Sequence, residues 1–254
     1  MDVEEHSGLD NMEVDEHLAR RLLHGDGLPT VRLYTWRPWA ISLGFNQDIA
    51  QIDVERARRD GIDVVRRPTG GRAVLHAEEL TYSVVMVAED KTVLAIYNAI
   101  SRALVRGLRL FGADVSFSKA QPDLREHYRS PSSIPCFTAS ARYEIEWEGR
   151  KLVGSAQRRL RSPNGRQEVV LQHGSILLGP AHKRLVEYLV LPDAAARRLL
   201  IQELEQKTVD LSSLKGGEIA LRELAACVRR GFEEEWGITF VQDESIETRK
   251  VMYG

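Results

Sequence analysis

The sequence has no apolar run long enough to cross a membrane, and only two of its 254 residues are cysteines. A membrane-spanning helix needs about 20 mostly apolar residues, so no membrane contact of that kind is expected. No cysteine or histidine pair has the spacing of a zinc site, and no metal is expected. The first residues are acidic and lack the apolar segment of a secretory signal peptide. We therefore expect a cytoplasmic protein, in which a disulfide between Cys136 and Cys227 is disfavoured.

Charge of neither sign is in excess, since 35 Lys and Arg residues face 37 Asp and Glu residues and give a net charge of -2. A general nucleic-acid binder normally carries a basic excess, so no nucleic-acid partner is expected. The hydrophobic share of 43% is ordinary for a globular protein. The sequence contains no internal repeat. We expect a flexible N-terminus over residues 1–9 and a single domain, favoured to be a monomer, over residues 10–254.

Hydrophobic periodicity and turn residues predict helices around a β-rich centre. Helices are expected from Asn11, from Asp53, and over residues 91–111, 181–189, 194–206 and 217–236. Strands are expected over residues 31–35, 40–43, 62–65, 80–87, 113–117, 143–147, 151–157 and 168–178, with an edge strand at 238–241. Residues 118–135 are expected to form a surface loop, and Asn164-Gly165 predicts a hairpin turn. This pattern indicates an α+β fold of mixed β-sheets flanked by helices.

The most informative stretch, residues 66–76, holds three arginines, a proline, two adjacent glycines and a histidine between two predicted strands. Glycine lets the backbone approach a ligand closely, and successive backbone N–H groups in a tight turn can bind an anion. A hairpin turn with solvated arginines is the alternative.

Two further residues carry reactive groups. Cys136 follows a polar stretch and precedes a predicted strand. It is either a nucleophile with a lowered pKa or a small buried apolar residue. Lys151 begins a strand that continues into small residues at 154–156, where it either holds an anionic group or is solvated.

Three other sets of residues have simpler interpretations. His173 interrupts an apolar strand, as a hydrogen-bonded core residue or as part of a pocket floor. Cys227 lies among apolar helical residues and is expected in the core. The four tryptophans are expected to have structural roles. They are Trp36, Trp39, Trp147 and Trp236.

Taken in order, these motifs resemble the lipoate- and biotin-protein ligase-like superfamily. The family pattern is an Arg-Arg-x-x-Gly-Gly-Gly loop that ends in His-Asp, followed by Lys-x-x-Gly-x-Ala and by His-Gly-Ser/Thr. The matching segments here are 66–72, 76–77, 151–156 and 173–177, and residues 11–16 are similar to the family's first helix. Arg72 replaces the third glycine and Ala77 replaces the aspartate. With Cys136, Tyr143-Glu144 and residues 149–157, these departures resemble octanoyltransferases of the LipM type.

The resemblance implies transfer of an octanoyl group from octanoyl-acyl carrier protein to a lysine of a lipoyl domain, such as glycine cleavage H protein. Cys136 would carry the group as a thioester, and Lys151 would lower the pKa of its thiol. Neither a metal nor a nucleotide cofactor is implied. The residues implied to bind the substrate are Arg67, Thr69, Gly70, Gly71, Arg72, Ala73, His76, Gly154, Ser155, Ala156, His173 and Gly174.

Three alternatives remain at this point. An ATP-dependent lipoate-protein ligase would use Lys151 on an adenylate phosphate and leave Cys136 incidental. A lipoyl-domain amidotransferase would also use a cysteine. A non-catalytic module would only bind acylated carrier proteins.

Overall fold

The computed structural model describes residues 3–118 and 144–241. The predicted loop at 118–135 and the position of Cys136 lie outside these residues, apart from Ser118 at the end of a strand. Within the described part of the chain, ten strands form two sheets. They are β1 (Glu4–His6), β2 (Thr30–Trp36), β3 (Ala40–Leu43), β4 (Asp63–Arg66), β5 (Val74–His76), β6 (Glu79–Val87), β7 (Ser116–Ser118), β8 (Glu144–Trp147), β9 (Arg150–Arg161) and β10 (Glu168–Leu177).

Both sheets are mixed. The larger has the strand order β1-β2-β6-β10-β9-β8-β7, and the smaller has the order β4-β3-β5. In the larger sheet β1 pairs with β2 in parallel and the other neighbours are antiparallel. In the smaller sheet β3 runs parallel to β4 and antiparallel to β5.

Helices cover both faces of the larger sheet. They are α1 (Gly8–His24), α2 (Val54–Arg59), α3 (Val93–Leu110), α4 (Ala194–Lys207), α5 (Leu211–Lys215) and α6 (Leu221–Trp236), together with 3-10 helices at Ile49–Gln51 and Pro180–Tyr188. Successive strand residues point to opposite faces. Accordingly, Val85 packs with Leu18 of α1 while Val84 belongs to the main core with Leu104 of α3. The predicted α+β fold of mixed sheets flanked by helices is confirmed. None of the helices in the described ranges is long and apolar enough to span a membrane.

The N-terminal residues differ from the prediction. Residues 4–6, expected to be flexible, pair with Tyr34–Trp36 as strand β1. Helix α1 begins three residues before Asn11, because the Ser7 side chain accepts the Asp10 N–H and caps the helix. Asn11 is fully buried instead, and its amide donates to the carbonyls of His6 and Thr35.

The expected edge strand at 238–241 was wrong, and the stretch 66–76 is only partly a loop. Residues 238–241 form no strand, because Arg229 and Glu233 of α6 satisfy the backbone of Phe240 through their side chains. The stretch 66–76 is also not one continuous loop. Val74 and Leu75 are buried and pair with β3 as part of β5, so the loop proper ends near Ala73.

Most of the long elements agree with the sequence. Helix α3 occupies Val93–Leu110 with Thr92 as its cap, and Gly112 follows it with φ 87°. Asp53 caps α2 as expected, and Gly165 has the positive φ of 69° that the hairpin turn requires. Cys227 is only partly buried, although it packs against the main core.

Helices α3 and α6 meet at two glycines. A Cβ placed on Gly231 would lie 2.4 Å from the Gly107 nitrogen and 2.5 Å from the Ala103 carbonyl oxygen. A Cβ on Gly107 would lie 2.6 Å from the Cα of Val228. All three of these atoms belong to the backbone and cannot rotate away. The glycines therefore set the distance between the two helices.

We expect Gly231→Ala to destabilise the protein by about 1–3 kcal/mol, the usual cost of overpacking, even though alanine is the better helix former. Urea unfolding followed by circular dichroism measures this change. Gly217→Ala is the matched control, since a Cβ there meets nothing within 4 Å. Equal stabilities of the two variants would contradict the close-contact interpretation.

Candidate active site

A pocket with about 400 Å³ of empty space, part of which is open solvent, lies on the α1 face of the larger sheet. Strand β5 and the loop at 67–73 lie beside it. Apolar and small residues dominate its lining, and the polar members come from several strands. The lining residues are Met12, Tyr34, Trp36, Arg67, Val74, His76, Thr81, Gly154, Ser155, Ala156, His173, Gly174 and Ser175.

Strand register explains why residues so distant in sequence meet here. Residues that pair across antiparallel strands have their side chains on the same face. One row across β9, β10, β6 and β2 consists of Gly154, Ser175, Thr81 and Tyr34. The next row consists of Ala156, His173, Ser83 and Arg32. These two rows form much of the pocket floor and its support.

The pocket brings together many of the residues that the sequence singled out. Its lining includes seven predicted substrate-binding residues, namely Arg67, His76, Gly154, Ser155, Ala156, His173 and Gly174. Thr69 is joined to it by a hydrogen bond with His173. Gly70, Gly71, Arg72 and Ala73 belong to the adjoining loop and are not part of the lining.

Arg67 fixes the conformation of this loop. Its buried guanidinium donates to the carbonyl oxygens of Gly70 and Arg72, at 2.9 and 2.7 Å, and to both oxygens of Ser42. Gly71 has φ 98°, a conformation that favours glycine. Its carbonyl oxygen approaches Gly44 so closely that a Cβ there would lie 2.0 Å away. Arg67 therefore stabilises the loop through hydrogen bonds and is not a solvated side chain.

The first of two hydrogen-bonded chains joins Asp15, His173 and Thr69. His173 Nδ1 lies 3.1 Å from Asp15 Oδ2, and its Nε2 lies 2.6 Å from Thr69 Oγ1. Burial lowers the pKa of His173 and outweighs the opposing effect of Asp15. The ring is therefore neutral at pH 7, with Nδ1 donating to Asp15 and Nε2 accepting from Thr69.

The second chain joins Glu79, His76 and Ser42. His76 Nδ1 lies 2.8 Å from Glu79 Oε1, and its Nε2 lies 2.7 Å from Ser42 Oγ. The ring stacks on Trp36, with centroids 4.0 Å apart. Trp36 in turn donates its indole N–H to Thr81. His76, Ser42 and Trp36 are paired in this way, although Glu79 Oε2 is buried without a hydrogen-bond partner among the described residues. The wall therefore presents ring faces to the cavity.

Asp15 is the buried centre of the site. Its carboxylate accepts hydrogen bonds from Arg32 and Ser83, both at 2.7 Å, and from the Tyr34 hydroxyl at 3.0 Å. Burial alone raises the pKa of Asp15, but the hydrogen bond with His173 and the charge of Arg32 outweigh it and hold the pKa below its usual value. Arg32 also reaches Glu4 of β1 at 3.2 Å.

Because residue 174 is glycine, strands β9 and β10 can lie close to each other. A Cβ on Gly174 would lie 2.3 Å from the Gly154 carbonyl oxygen and 2.8 Å from the Tyr82 ring. Burial raises the pKa of Tyr82 to about 12, so its phenol stays protonated and donates to Ser155 at 2.6 Å. The small residues at 154–156 that follow Lys151 thus allow the strands to pack closely and leave room for the pocket.

Lys151 lies on β9 outside the pocket lining. Both it and Glu144 of β8 are buried, and Lys151 Nζ lies 2.5 Å from Glu144 Oε1. The Val209 N–H donates to the Lys151 carbonyl and holds the backbone at this position. The lysine predicted to be catalytic is therefore not a solvated side chain, and its charge has a carboxylate partner.

Several site residues were not predicted from the sequence. Asp15, Ser42 and Glu79 are the clearest, and Trp36 lines the pocket although it was expected to be structural. Asp15 did carry a signal, because Met12, Asp15 and Leu22 share the apolar side of α1, where an unpaired carboxylate is unfavourable. Within residues 3–118 and 144–241, no group of three His, Cys, Asp or Glu side chains could hold a metal ion.

We expect Asp15→Asn to destabilise the protein by about 3–5 kcal/mol, because it leaves the buried Arg32 with only the partly exposed Glu4 as a charge partner. Glu16→Gln is the control, since Glu16, next to Asp15 on α1, makes only partly exposed ion pairs with Arg20 and Arg158. We expect a loss of at most about 1 kcal/mol there. Urea unfolding at pH 7 compares the two variants. A similarly small loss of unfolding free energy in both variants would show that the buried pair of Asp15 and Arg32 contributes little to stability.

The family model described as the lipoyl protein ligase A/B catalytic domain matches residues 7–233. Octanoyltransferase LipM of Kyrpidia tusciae is 40% identical over 233 residues, which covers 89% of this chain and 82% of that protein. The enzyme of the same name from Staphylococcus aureus is 33% identical over 230 residues, covering 88% of this chain and 81% of the relative.

Solved structures show the same fold. A bipartite lipoate protein ligase from Thermoplasma acidophilum, described with its E2 lipoyl domain, has a TM-score of 0.73 at 22% identity. The alignment covers 96% of this chain and 87% of that one. A lipoate-protein ligase A bound with ATP has a TM-score of 0.70, also at 22% identity, and covers 96% and 89% of the two chains. The chain therefore belongs to the lipoyl protein ligase A/B catalytic domain family and, within it, to the branch of octanoyltransferases named LipM.

Proposed function

We propose that this protein moves an octanoyl group from octanoyl-acyl carrier protein to a lysine of a lipoyl-domain protein, such as glycine cleavage H protein. Cys136 carries the group as a thioester between the two steps. The observation that carries the proposal is the likeness to octanoyltransferases named LipM over most of the chain. The pocket adds support, because its walls suit an acyl chain.

The pocket is suited to hydrocarbon because its polar side chains already have partners. Trp36 donates to Thr81, and both nitrogens of His76 are engaged by Glu79 and Ser42. Met12 and Val74 complete an apolar surface. Each buried methylene of an acyl chain gains about 0.8 kcal/mol. In the proposed complex the octanoyl chain lies along this surface. The carbonyl group of its thioester then faces backbone N–H groups of the loop from Thr69 to Ala73.

The first step is a thioester exchange. The Cys136 thiolate attacks the acyl carbon, a carbon–sulfur bond to Cys136 forms, and the carrier thiolate leaves with its electron pair and takes up a proton. The Lys151 ammonium favours the thiolate form of Cys136 by its charge. The same Lys151 ammonium forms a buried ion pair with Glu144 Oε1 at 2.5 Å. Such a thiol needs a reducing compartment, which supports a cytosolic reaction as part of the proposal.

The covalent intermediate is tested directly. We expect incubation with octanoyl-acyl carrier protein, without ATP, to add one octanoyl group on Cys136, detected by intact and peptide mass. Cys136→Ala should abolish both the adduct and transfer to a lipoyl domain, whereas Cys227→Ser should retain them. An enzyme that forms no adduct and modifies lipoyl domains only with ATP would be a ligase.

The role of Lys151 is tested by the pH dependence of Cys136 alkylation. Replacing Lys151 by Met together with Glu144→Gln avoids an unpaired buried carboxylate. We expect the pKa of the thiol to rise, by less than the roughly 1–3 units that loss of a lone neighbouring cation causes, because the charge of Glu144 is removed as well. Lys183→Met, which breaks a surface pair with Glu205, is the control. An unchanged alkylation profile in the double variant would rule out the charge effect.

A further inference from the structure

The pocket has a mouth and a closed inner end. Its partly exposed lining residues lie on β9 and β10, and they are Ser155, Ala156 and Gly174. The loop at 67–73 reaches this side, since Arg158 of β9 donates to the Pro68 carbonyl. The lining residues of α1 and β2 are instead buried, and they are Met12, Tyr34 and Trp36. An acyl chain that enters beside β9 therefore ends against α1 and β2.

The inner end of the pocket is backed by protein. It belongs to one apolar cluster, whose members are Met12, Tyr34, Trp36 and Ala40, with Val65 packed against them. Gly8 lies one turn before Met12 on α1, and residues four apart share a helix face. A Cβ placed on Gly8 would lie 3.0 Å from the Val65 side chain and 3.1 Å from that of Ala40. The first turn of α1 thus closes on β3 and β4 behind Met12.

Hydrogen bonds hold two of the three inner residues in place. Tyr34 donates to Asp15 at 3.0 Å, and Trp36 donates to Thr81 at 2.7 Å. Met12 packs through an unbranched thioether side chain, which adapts to the shape of its neighbours. A substitution of Met12 therefore changes the length of the cavity without removing a side-chain hydrogen bond, whereas a substitution of either aromatic residue removes one.

We infer that Met12 sets the length of acyl chain that the enzyme prefers. This inference rests on the proposed function, which supplies the acyl group. With the thioester at the mouth, the methyl end of the chain meets the Met12 side chain. A longer chain has no room for its last methylenes, and a shorter chain leaves apolar surface uncovered. One extra or missing methylene in an apolar pocket changes specificity about 10–200-fold, so the preference should be sharp.

The inner end lies far enough from the mouth for the two to be changed separately. Four residues of the floor pair across adjacent strands, and they are Gly154, Ser175, Thr81 and Tyr34. Neighbouring strands lie about 4.8 Å apart, so Tyr34 is roughly 14 Å from Gly154. Substitutions separated by more than roughly 10 Å usually act independently. A change at Met12 should therefore alter the preferred chain length and leave the mouth intact.

The test compares the natural protein with Met12→Ala and Met12→Phe. The donors are acyl carrier proteins loaded with hexanoyl, octanoyl, decanoyl or dodecanoyl groups, and the acceptor is a lipoyl domain. Truncation of a buried side chain leaves a cavity that its neighbours refill only in part, and an apolar cavity stays dry and accepts apolar groups. Each newly buried methylene is worth about fourfold. We therefore expect Met12→Ala to raise the ratio of kcat/KM for decanoyl over octanoyl about tenfold or more, and Met12→Phe to shift the preference towards hexanoyl.

Two controls separate a change of cavity length from a general loss of packing. Leu18 is another buried residue of α1, but it packs with Val85 and Val169 and is not part of the pocket lining. Leu18→Ala and the volume-conserving Met12→Leu should both keep the natural preference. An unchanged ratio in Met12→Ala and Met12→Phe, or an equal shift in Leu18→Ala, would overturn the inference. If Met12→Ala does not fold, the direction of the shift in Met12→Phe decides.

A binding measurement separates this inference from the proposed function. Isothermal titration calorimetry with hexanoate, octanoate, decanoate and dodecanoate reports the length of the cavity without any transfer. A longer preferred chain in Met12→Ala, with no transfer by the natural protein, would refute the proposed function and retain the role of Met12. Active transfer with the same chain-length profile in all variants would refute the role of Met12 and retain the proposed function. A protein that neither binds these acids nor transfers acyl groups would refute both.

Discussion

The buried ion pair between Asp15 and Arg32 is the interaction on which the site depends. Its carboxylate is shared by α1, β2, β6 and β10, because it also accepts hydrogen bonds from Tyr34 and Ser83 and orients His173. A buried carboxylate is costly unless it is paired with a positive charge and accepts hydrogen bonds. The helix, the sheet and the pocket histidine are therefore fixed by one carboxylate, and a change in any of these elements alters the site.

Much of the fold followed from local patterns. The spacing of Ile96, Ile100 and Leu104 predicted α3, and Asn164-Gly165 predicted its hairpin, since both signals act over a few residues. Strand β1 could not be predicted in the same way, because Glu4–His6 has no β-rich pattern and is held by pairing with β2. The expected strand at 238–241 also depended on contacts that local patterns do not reveal. Side chains of α6 bond to the backbone of Phe240, and no strand forms there.

The site was predictable to the extent that it lies in motifs. Residues 66–76, 151–156 and 173–177 each carry a local signature, and the pocket unites members of all three. The partners behind them were harder to find. Glu144 lies on the strand before Lys151, and Ser42 is separated from His76 by 34 residues. Which hydroxyl or carboxylate meets which histidine is decided by strand register, which a single sequence specifies only weakly.

Strand β1 has a practical consequence for work with this protein. It places Glu4 3.2 Å from the guanidinium of Arg32, so the first residues of the chain reach the charged centre of the site. Affinity tags and trimmed starts at this end would disturb the edge of the sheet and the electrostatic balance around Asp15. Expression designs that leave residues 3–7 intact preserve this arrangement.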